Sequence, residues 1–133
     1  MTQEGLFLSL VTPYRPIFEG SVKSVIIPLF DGLAGILKNH VDVIAELGPG
    51  KVVITTDEEK VVYFIDGGFL EVRKNKVTLL ANEAYKKEEL KKEQIQKEFQ
   101  EVQKLKAHGS ELIELKLQKL DALRKKLSFI QEN

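Results

Sequence analysis

The chain contains the stretch Asp66-Gly67-Gly68-Phe69-Leu70-Glu71-Val72, in which two glycines stand directly before a strand-like run. Glycine pairs of this kind occur at tight bends and bulges of β-sheets, because glycine tolerates backbone conformations that other residues avoid. Similar turn-forming stretches occur at residues 32–35, 39–40 and 47–50. Short runs rich in valine, isoleucine and phenylalanine lie between them, and these residue types favour strands.

The spacing of these runs predicts two packed antiparallel layers, that is, an N-terminal β-sandwich over residues 1–82. Residues 31–39 are expected to form a loop, and residues 47–50 a turn between strands. The clearest predicted strands are residues 6–11, 21–27, 51–55, 60–65, 69–73 and 77–80.

From residue 83 onward the hydrophobic period changes from that of strands to that of helices. Two apolar stripes follow, one from Ile95 to Val102 and one from Ile113 to Ile130. They predict helices of ~25 and ~20 residues, which would be ~37 Å and ~30 Å long at ~1.5 Å per residue. Gly109 is expected to end the first helix and Ser110 to cap the second. We therefore expect a C-terminal antiparallel two-helix hairpin over residues 83–133. Its main packing contacts are predicted to be Phe99, Leu117, Leu120 and Leu127.

Composition excludes several functional classes. Twenty basic and twenty acidic side chains cancel, so no net field attracts nucleic acid or an anionic membrane surface, and protein partners are expected. The chain has no cysteine, which removes disulfides and thiolate chemistry. No apolar run approaches the ~20 residues of a spanning helix, and no secretory leader is recognisable. We therefore expect neither insertion into a membrane nor export.

The sequence offers little for catalysis. His40 and Asp42 are the one pair that resembles a base and its orienting carboxylate, but no serine nucleophile lies nearby. Two histidines without cysteine make no recognisable metal site, and neither glycine-rich phosphate-loop pattern is present. No cofactor and no catalytic residue are therefore expected.

Three stretches, in order and in register, resemble the epsilon subunit of F-type ATP synthase. The first is residues 18–22, Phe-Glu-Gly-Ser-Val, which leads into Val25. The second is residues 32–40, Gly-Leu-Ala-Gly-Ile-Leu-Lys-Asn-His, which continues into Leu-Gly-Pro-Gly at 47–50. The third is residues 67–72, Gly-Gly-Phe-Leu-Glu-Val, with the run 77–81 after it. The resemblance extends from Leu6 to the C-terminal helix.

The resemblance implies a non-catalytic subunit of the central stalk of a rotary motor. In that family the sandwich packs on the gamma subunit and on the ring of c subunits, and the helical tail either folds down or extends into the catalytic head of alpha and beta subunits. It would couple ring rotation to the head, restrain ATP hydrolysis, and lie peripherally on the cytoplasmic face of the inner (plasma) membrane. By resemblance, His40 would contact gamma. The c-ring contacts would be Asp31, Leu33, Ala34, Gly35 and Ile36.

The chain also departs from the family pattern. Val41 and Asp42 stand where Ala-Pro is usual, and Lys38 replaces the usual proline before Asn39. Some bacterial members bind ATP through a motif of leucine or isoleucine, aspartate, two residues, arginine and alanine. That motif falls on residues 90–95, Leu-Lys-Lys-Glu-Gln-Ile, which have neither the aspartate nor the arginine. ATP binding is therefore not expected.

Two alternatives stay open at this stage. The helix stripes suit packing within the hairpin and equally suit burial against another protein, since both require the same residues. A free-standing adaptor, in which the sandwich binds one partner and the hairpin another, is the alternative function. An enzyme that uses His40 and Asp42 ranks behind both the stalk subunit and the adaptor.

Overall fold

The computed structural model describes residues 5–132. The chain divides into two compact units, Met1–Tyr85 and Lys86–Asn133. The sequence predicts a boundary after residue 82, but Ala84–Tyr85 form a short strand that pairs with Phe64 and Ile65. Backbone pairing ties these two residues to the sheet, so the β unit ends at Tyr85.

The β unit is an eight-stranded sheet with the order β2-β1-β7-β6-β5-β3-β4, and β8 pairs with β6. The pair β1 and β7 is parallel, whereas every other pair is antiparallel. A mixed sheet thus replaces the predicted all-antiparallel one, because no hairpin turn connects β1 to β7 and sets their relative direction. The strands are β1 (Leu6–Val11), β2 (Pro16–Val22), β3 (Ser24–Leu29), β4 (Gly32–Leu37), β5 (Val43–Thr55), β6 (Lys60–Arg73), β7 (Lys76–Ala81) and β8 (Ala84–Tyr85).

The long hairpin of β5 and β6 is shared by two layers. β7 pairs with residues 68–73 of β6, and β1 and β2 follow beyond it. β3 pairs with residues 47–55 of β5, and β4 follows at that edge. The strands that neighbour β5 and β6 change near residues 47–50 and 66–68. Both glycine-rich stretches fall within the bounds of β5 and β6, so they lie inside strands. The predicted turn at 47–50 is therefore wrong, and the predicted strands 60–65 and 69–73 are one strand.

Gly68 lies where β6 passes from one layer to the other. Its backbone φ is 138°, in the region that favours glycine. A Cβ atom there would lie 2.0 Å from the carbonyl oxygen of Leu80 on β7. The close approach of β7 to β6 therefore requires glycine at this position.

Two other predicted elements are corrected. The predicted strand 21–27 is two strands, because Val22 pairs with β1 whereas Ser24 pairs with β4 and β5. Lys23 stands between them, and its backbone N–H donates to Thr55 O at 2.7 Å. The predicted loop 31–39 is largely the strand β4, which forms a hairpin with β3.

Alternate strand residues fill one core between the layers. In β1, for example, Leu6, Leu8 and Leu10 are buried and the residues between them are partly exposed. Each large apolar side chain that is fully buried contributes about 1.5–3 kcal/mol. The buried members of the core are Leu6, Leu8, Leu10, Val22, Val25, Ile27, Ile36, Leu47, Val52, Ile54, Tyr63, Ile65, Leu70, Val72, Val77, Leu79, Ala81 and Ala84.

The second unit begins with a 3₁₀ turn at Lys87–Glu89, followed by α1 (Lys92–Lys104) and α2 (Ser110–Gln131). α1 has 13 residues and α2 has 22, so the first helix is about half its predicted length. Gly109 does not end α1: it directly precedes α2, with φ at 88°. Ser110, predicted as the cap, is instead the first residue of α2, and the N-cap position is occupied by Gly109, which has no side chain. A strands-then-helices fold is confirmed, with these changes to its boundaries.

The two helices share an apolar cluster. Phe99, Leu120 and Leu127, three of the four predicted contacts, lie in it or against it. Arg124 places its guanidinium 5.6 Å from the centre of the Phe99 ring, within the range of a cation–π contact. Leu117 is 59% exposed, so its predicted place in the hairpin core is wrong. The buried members are Ile95, Val102, Leu120 and Leu123, with Leu90, Phe99, Leu127 and Ile130 packed against them.

Candidate interaction surfaces

The hairpin of β3 and β4 carries an exposed apolar surface, which we call the Leu33 surface: Phe30, Leu33 and Leu37. Leu33 is 72% exposed, and the other two are similarly accessible. Leu33 and Leu37 point to the same side because side chains alternate along a strand, and Phe30 lies in the turn before β4. β4 is also an edge strand, which leaves backbone groups accessible to a partner.

Four of the predicted c-ring residues divide between the two faces of β4, and Asp31 lies in the turn before the strand. Asp31, Leu33 and Gly35 are exposed, and Ala34 is partly buried. Ile36 is 1% exposed and belongs to the core. Ile36 pairs with Val25, also a core residue, so its side chain supports the hairpin from within and is unavailable to a partner.

The loop after β4 is tied to the turn between β6 and β7. Asn39 N–H donates to Asn75 Oδ1 at 2.6 Å, and Asn75 Nδ2 donates to Asn39 Oδ1 at 3.3 Å. Lys74 N–H donates to Asp42 Oδ1 at 3.0 Å. Both ends of the segment that carries His40 are therefore held by the same turn.

His40 and Asp42 do not form a catalytic pair. His40 Nδ1 lies 2.7 Å from the carbonyl oxygen of Val41, whereas Asp42 accepts a backbone hydrogen bond from Lys74. Asp42 therefore supports the loop rather than orienting the imidazole. His40 is partly buried, which leaves part of its ring available to a protein partner.

A second exposed apolar surface lies on the other layer, and we call it the Phe69 surface: Ile44, Phe69 and Leu80. Ile44 is 74% exposed, and Phe69 and Leu80 are more than half exposed. Phe69 pairs directly with Leu80 on β7 and with Glu46 on β5. None of these three residues is among the contacts expected from the sequence. The available signal was Phe69 beside Leu70, because adjacent strand residues face opposite sides and one of the two apolar side chains had to point outward.

The helical unit exposes apolar side chains in the first half of α2. Leu112, Ile113, Leu115 and Leu117 are each about half exposed.

The region matched to the ATP motif spans the start of α1, with Leu90 and Lys91 before the helix. Within residues 5–132, no group of three or more potential ligands could hold a metal ion. No helix in the same range is long and apolar enough to cross a membrane.

Comparison with known proteins identifies the family. The family model described as "ATP synthase, Delta/Epsilon chain, beta-sandwich domain" matches residues 5–87. The chain is 40% identical over 96 residues to the chloroplastic ATP synthase epsilon chain of Tetradesmus obliquus, covering 72% of this chain and 71% of the relative. It is 33% identical over 105 residues to the ATP synthase epsilon chain of Leptospira interrogans, covering 79% and 83%.

Solved structures share the fold across both units. A chain in the mitochondrial ATP synthase of Euglena gracilis (OSCP/F1/c-ring) superposes with a TM-score of 0.82 at 22% identity, covering 97% of this chain and 83% of that one. A chain in the central stalk and c-ring of the Tetrahymena thermophila mitochondrial ATP synthase also gives 0.82, at 12% identity and with 98% and 100% coverage. Sandwich, helical tail and sequence matches agree, and the chain belongs to the epsilon chain family of ATP synthase.

Proposed function

We propose that this protein is the epsilon subunit of the central stalk of an F-type ATP synthase, and that it is a coupling and regulatory subunit without catalysis of its own. The observation that carries the proposal is the presence of two separate apolar surfaces on one sandwich, the Leu33 surface and the Phe69 surface. Exposed apolar patches on a folded domain mark binding sites. A subunit that transmits rotation needs two partners at once.

The Leu33 surface is proposed to contact the ring of c subunits. It lies on an edge hairpin, and Asp31 and Gly35 are exposed beside its apolar side chains. The buried Ile36 holds β4 on the core. The hairpin thus presents apolar side chains and one carboxylate on a strand that is anchored to the core. Such a surface suits a rotating partner, because it can bind that partner without deforming the sandwich.

The Phe69 surface, together with His40, is proposed to contact the gamma subunit. Ile44 follows His40 at the start of β5, so both belong to the segment that Asn75 and Lys74 hold in place. Two exposed carboxylates, Glu46 and Glu71, pair with Phe69 and Ile44 in the register of β5 and β6. The surface therefore suits a partner that presents apolar and basic side chains.

The helical unit is proposed to act on the alpha and beta subunits. The exposed apolar residues of α2 give it a surface for the catalytic head when the tail is extended, and in that state it restrains ATP hydrolysis. Folded, the same unit keeps its own apolar cluster buried. Contact with the ring and the stalk, rather than an inserted helix, would hold the protein peripherally at the cytoplasmic face of the membrane.

Paired aspartate substitutions test the two surfaces. Leu33→Asp with Leu37→Asp is expected to abolish attachment of the soluble head to the membrane sector while gamma binding persists. Ile44→Asp with Phe69→Asp is expected to abolish gamma binding while attachment to the membrane sector persists. All four side chains are exposed, so folding is retained, whereas an unpaired charge buried at an interface costs about 3–5 kcal/mol. Co-sedimentation with stripped membranes and pull-down of gamma report the two contacts.

The outcome that would refute this assignment is the opposite pattern, in which the Leu33 pair loses gamma and the Phe69 pair loses the membrane sector. Purification of the native complex distinguishes the subunit from a free-standing adaptor. Co-isolation with alpha, beta and gamma as a single copy supports the subunit. A stable solitary protein supports the adaptor.

A further inference from the structure

The face of α2 that packs on α1 carries a lysine at a position where the apolar repeat predicts an apolar residue. Leu120, Leu123 and Leu127 follow the helical repeat and lie in or against the shared cluster. Continued one turn toward the start of the helix, the same stripe reaches Lys116. Lys116 is partly buried, and it stands at the level where α1 ends.

The Lys116 side chain bonds to the end of α1. Its Nζ donates to the carbonyl oxygen of Gln103 at 2.9 Å and to that of Leu105 at 2.8 Å. The last carbonyls of a helix have no partner within the helix and carry the negative end of its dipole, so an ammonium group is well placed there. One amine thus satisfies two carbonyls at the end of α1.

The residues after α1 have no sequence reason to leave the helix. Positions 105–108 read Leu-Lys-Ala-His, and the first residue incompatible with a helix interior is Gly109. In a continuing helix, Gln103 O would accept from the N–H of Ala107, and Leu105 O from that of Gly109. Lys116 donates to both of these carbonyls instead, at the point where α1 ends at Lys104.

We propose that Lys116 is a latch that sets the length of α1 and holds the turn at residues 105–109. When the amine is neutralised or removed, α1 extends through His108, the helix grows by ~6 Å, and the turn contracts toward Gly109. Acetylation of this amine would have the same effect, since it removes the charge. The proposal concerns the hairpin alone and holds whether or not the assignment to the rotary complex is correct.

Nuclear magnetic resonance of the full-length protein tests the latch. In the wild type, the Lys116 ammonium protons are expected to exchange slowly, and the carbon shifts of residues 105–108 to be non-helical. Lys116→Met should give helical shifts through His108 and slow exchange of the Gly109 amide by ~5-fold, the change that one net hydrogen bond of about 1 kcal/mol supplies. Lys116→Arg keeps the charge and donors and should resemble the wild type. Lys119→Met, an exposed lysine on the same helix, is the matched control.

Several results would overturn the latch. If the carbon shifts of residues 105–108 in Lys116→Met are those of the wild type, the amine does not end α1. If these shifts become those of a random coil, the amine does not oppose a longer helix. Lys119→Met with the same effect as Lys116→Met would assign the change to net charge. The ammonium measurement needs no variant, and rapid exchange in the wild type would by itself remove the two hydrogen bonds on which the proposal rests.

Discussion

Asn39 and Asn75, 36 residues apart in the chain, each adopt a left-handed backbone and exchange hydrogen bonds with one another. Asn75 also accepts, through its backbone carbonyl, a hydrogen bond from the N–H of Phe7 at 2.9 Å. Asparagine is one of the few residues with a side chain that tolerates this backbone region. A single turn residue therefore joins the loop before β5 to the start of β1 and stands beside the segment that carries His40.

Replacement of Asn75 tests this junction. Asn75→Ala is expected to lower the free energy of unfolding by about 2 kcal/mol, because it removes the side-chain hydrogen bonds and places alanine, which tolerates the left-handed region less well than asparagine, at this position. Asn75→Gly keeps the backbone preference and should lose only about 1 kcal/mol. Urea denaturation measures both. Equal losses in the two variants would mean that the backbone conformation contributes nothing.

Gly68 is expected to be the least replaceable glycine of the sheet. Gly68→Ala forces a Cβ against Leu80 O, so β6 and β7 must separate, and a loss of at least ~3 kcal/mol is expected from overpacking and backbone strain. Gly35→Ala is the control, since its Cβ would meet nothing within 4 Å. Thermal unfolding compares the two. A Gly68→Ala protein as stable as the control would contradict the close approach of the strands.

The hairpin cluster is tested by two leucines on the same helix. Leu120→Ala should destabilise the helical unit by about 2–5 kcal/mol, because it empties a buried position. Leu117→Ala should change stability by less than about 0.5 kcal/mol, since Leu117 is exposed. Amide hydrogen exchange in α1 and α2 gives the local stability. If both substitutions loosen the helices equally, Leu117 belongs to the packing after all.

ATP is not expected to hold the helical tail. The motif positions carry Lys91 and Gln94 where an aspartate and an arginine are required, and a lysine provides weaker geometric selection of phosphate than arginine. Calorimetric titration with ATP should show no saturable binding tighter than ~1 mM, equivalent to about −4 kcal/mol. Lys91→Asp combined with Gln94→Arg is a matched variant that restores the aspartate and the arginine of the motif. Saturable binding by the unmodified protein would overturn the prediction, whatever the variant does.

Local patterns were sufficient for some features. The alternation of residues 6–11 predicts β1 with its observed bounds, since strand periodicity is a property of neighbouring residues. The switch to a helical period predicts the second unit, and the glycine pair at 67–68 predicts the irregularity inside β6, whereas the predicted turn at 47–50 lies inside β5. The family resemblance extended these to candidate contacts, of which Leu33 and His40 are accessible and Ile36 is not.

Contacts between distant residues decided the rest. Pairing with β3 turned the predicted loop at 31–39 into a strand and buried Ile36, and pairing of β1 with β7 made the sheet mixed. The Phe69 surface needs three strands brought side by side, and the early end of α1 coincides with a lysine on the other helix. Composition and periodicity determined that this chain is a sandwich followed by two helices, because short-range patterns encode the type of each element. Which residues face a partner was decided by the tertiary structure, because exposure depends on neighbours that the sequence places far away.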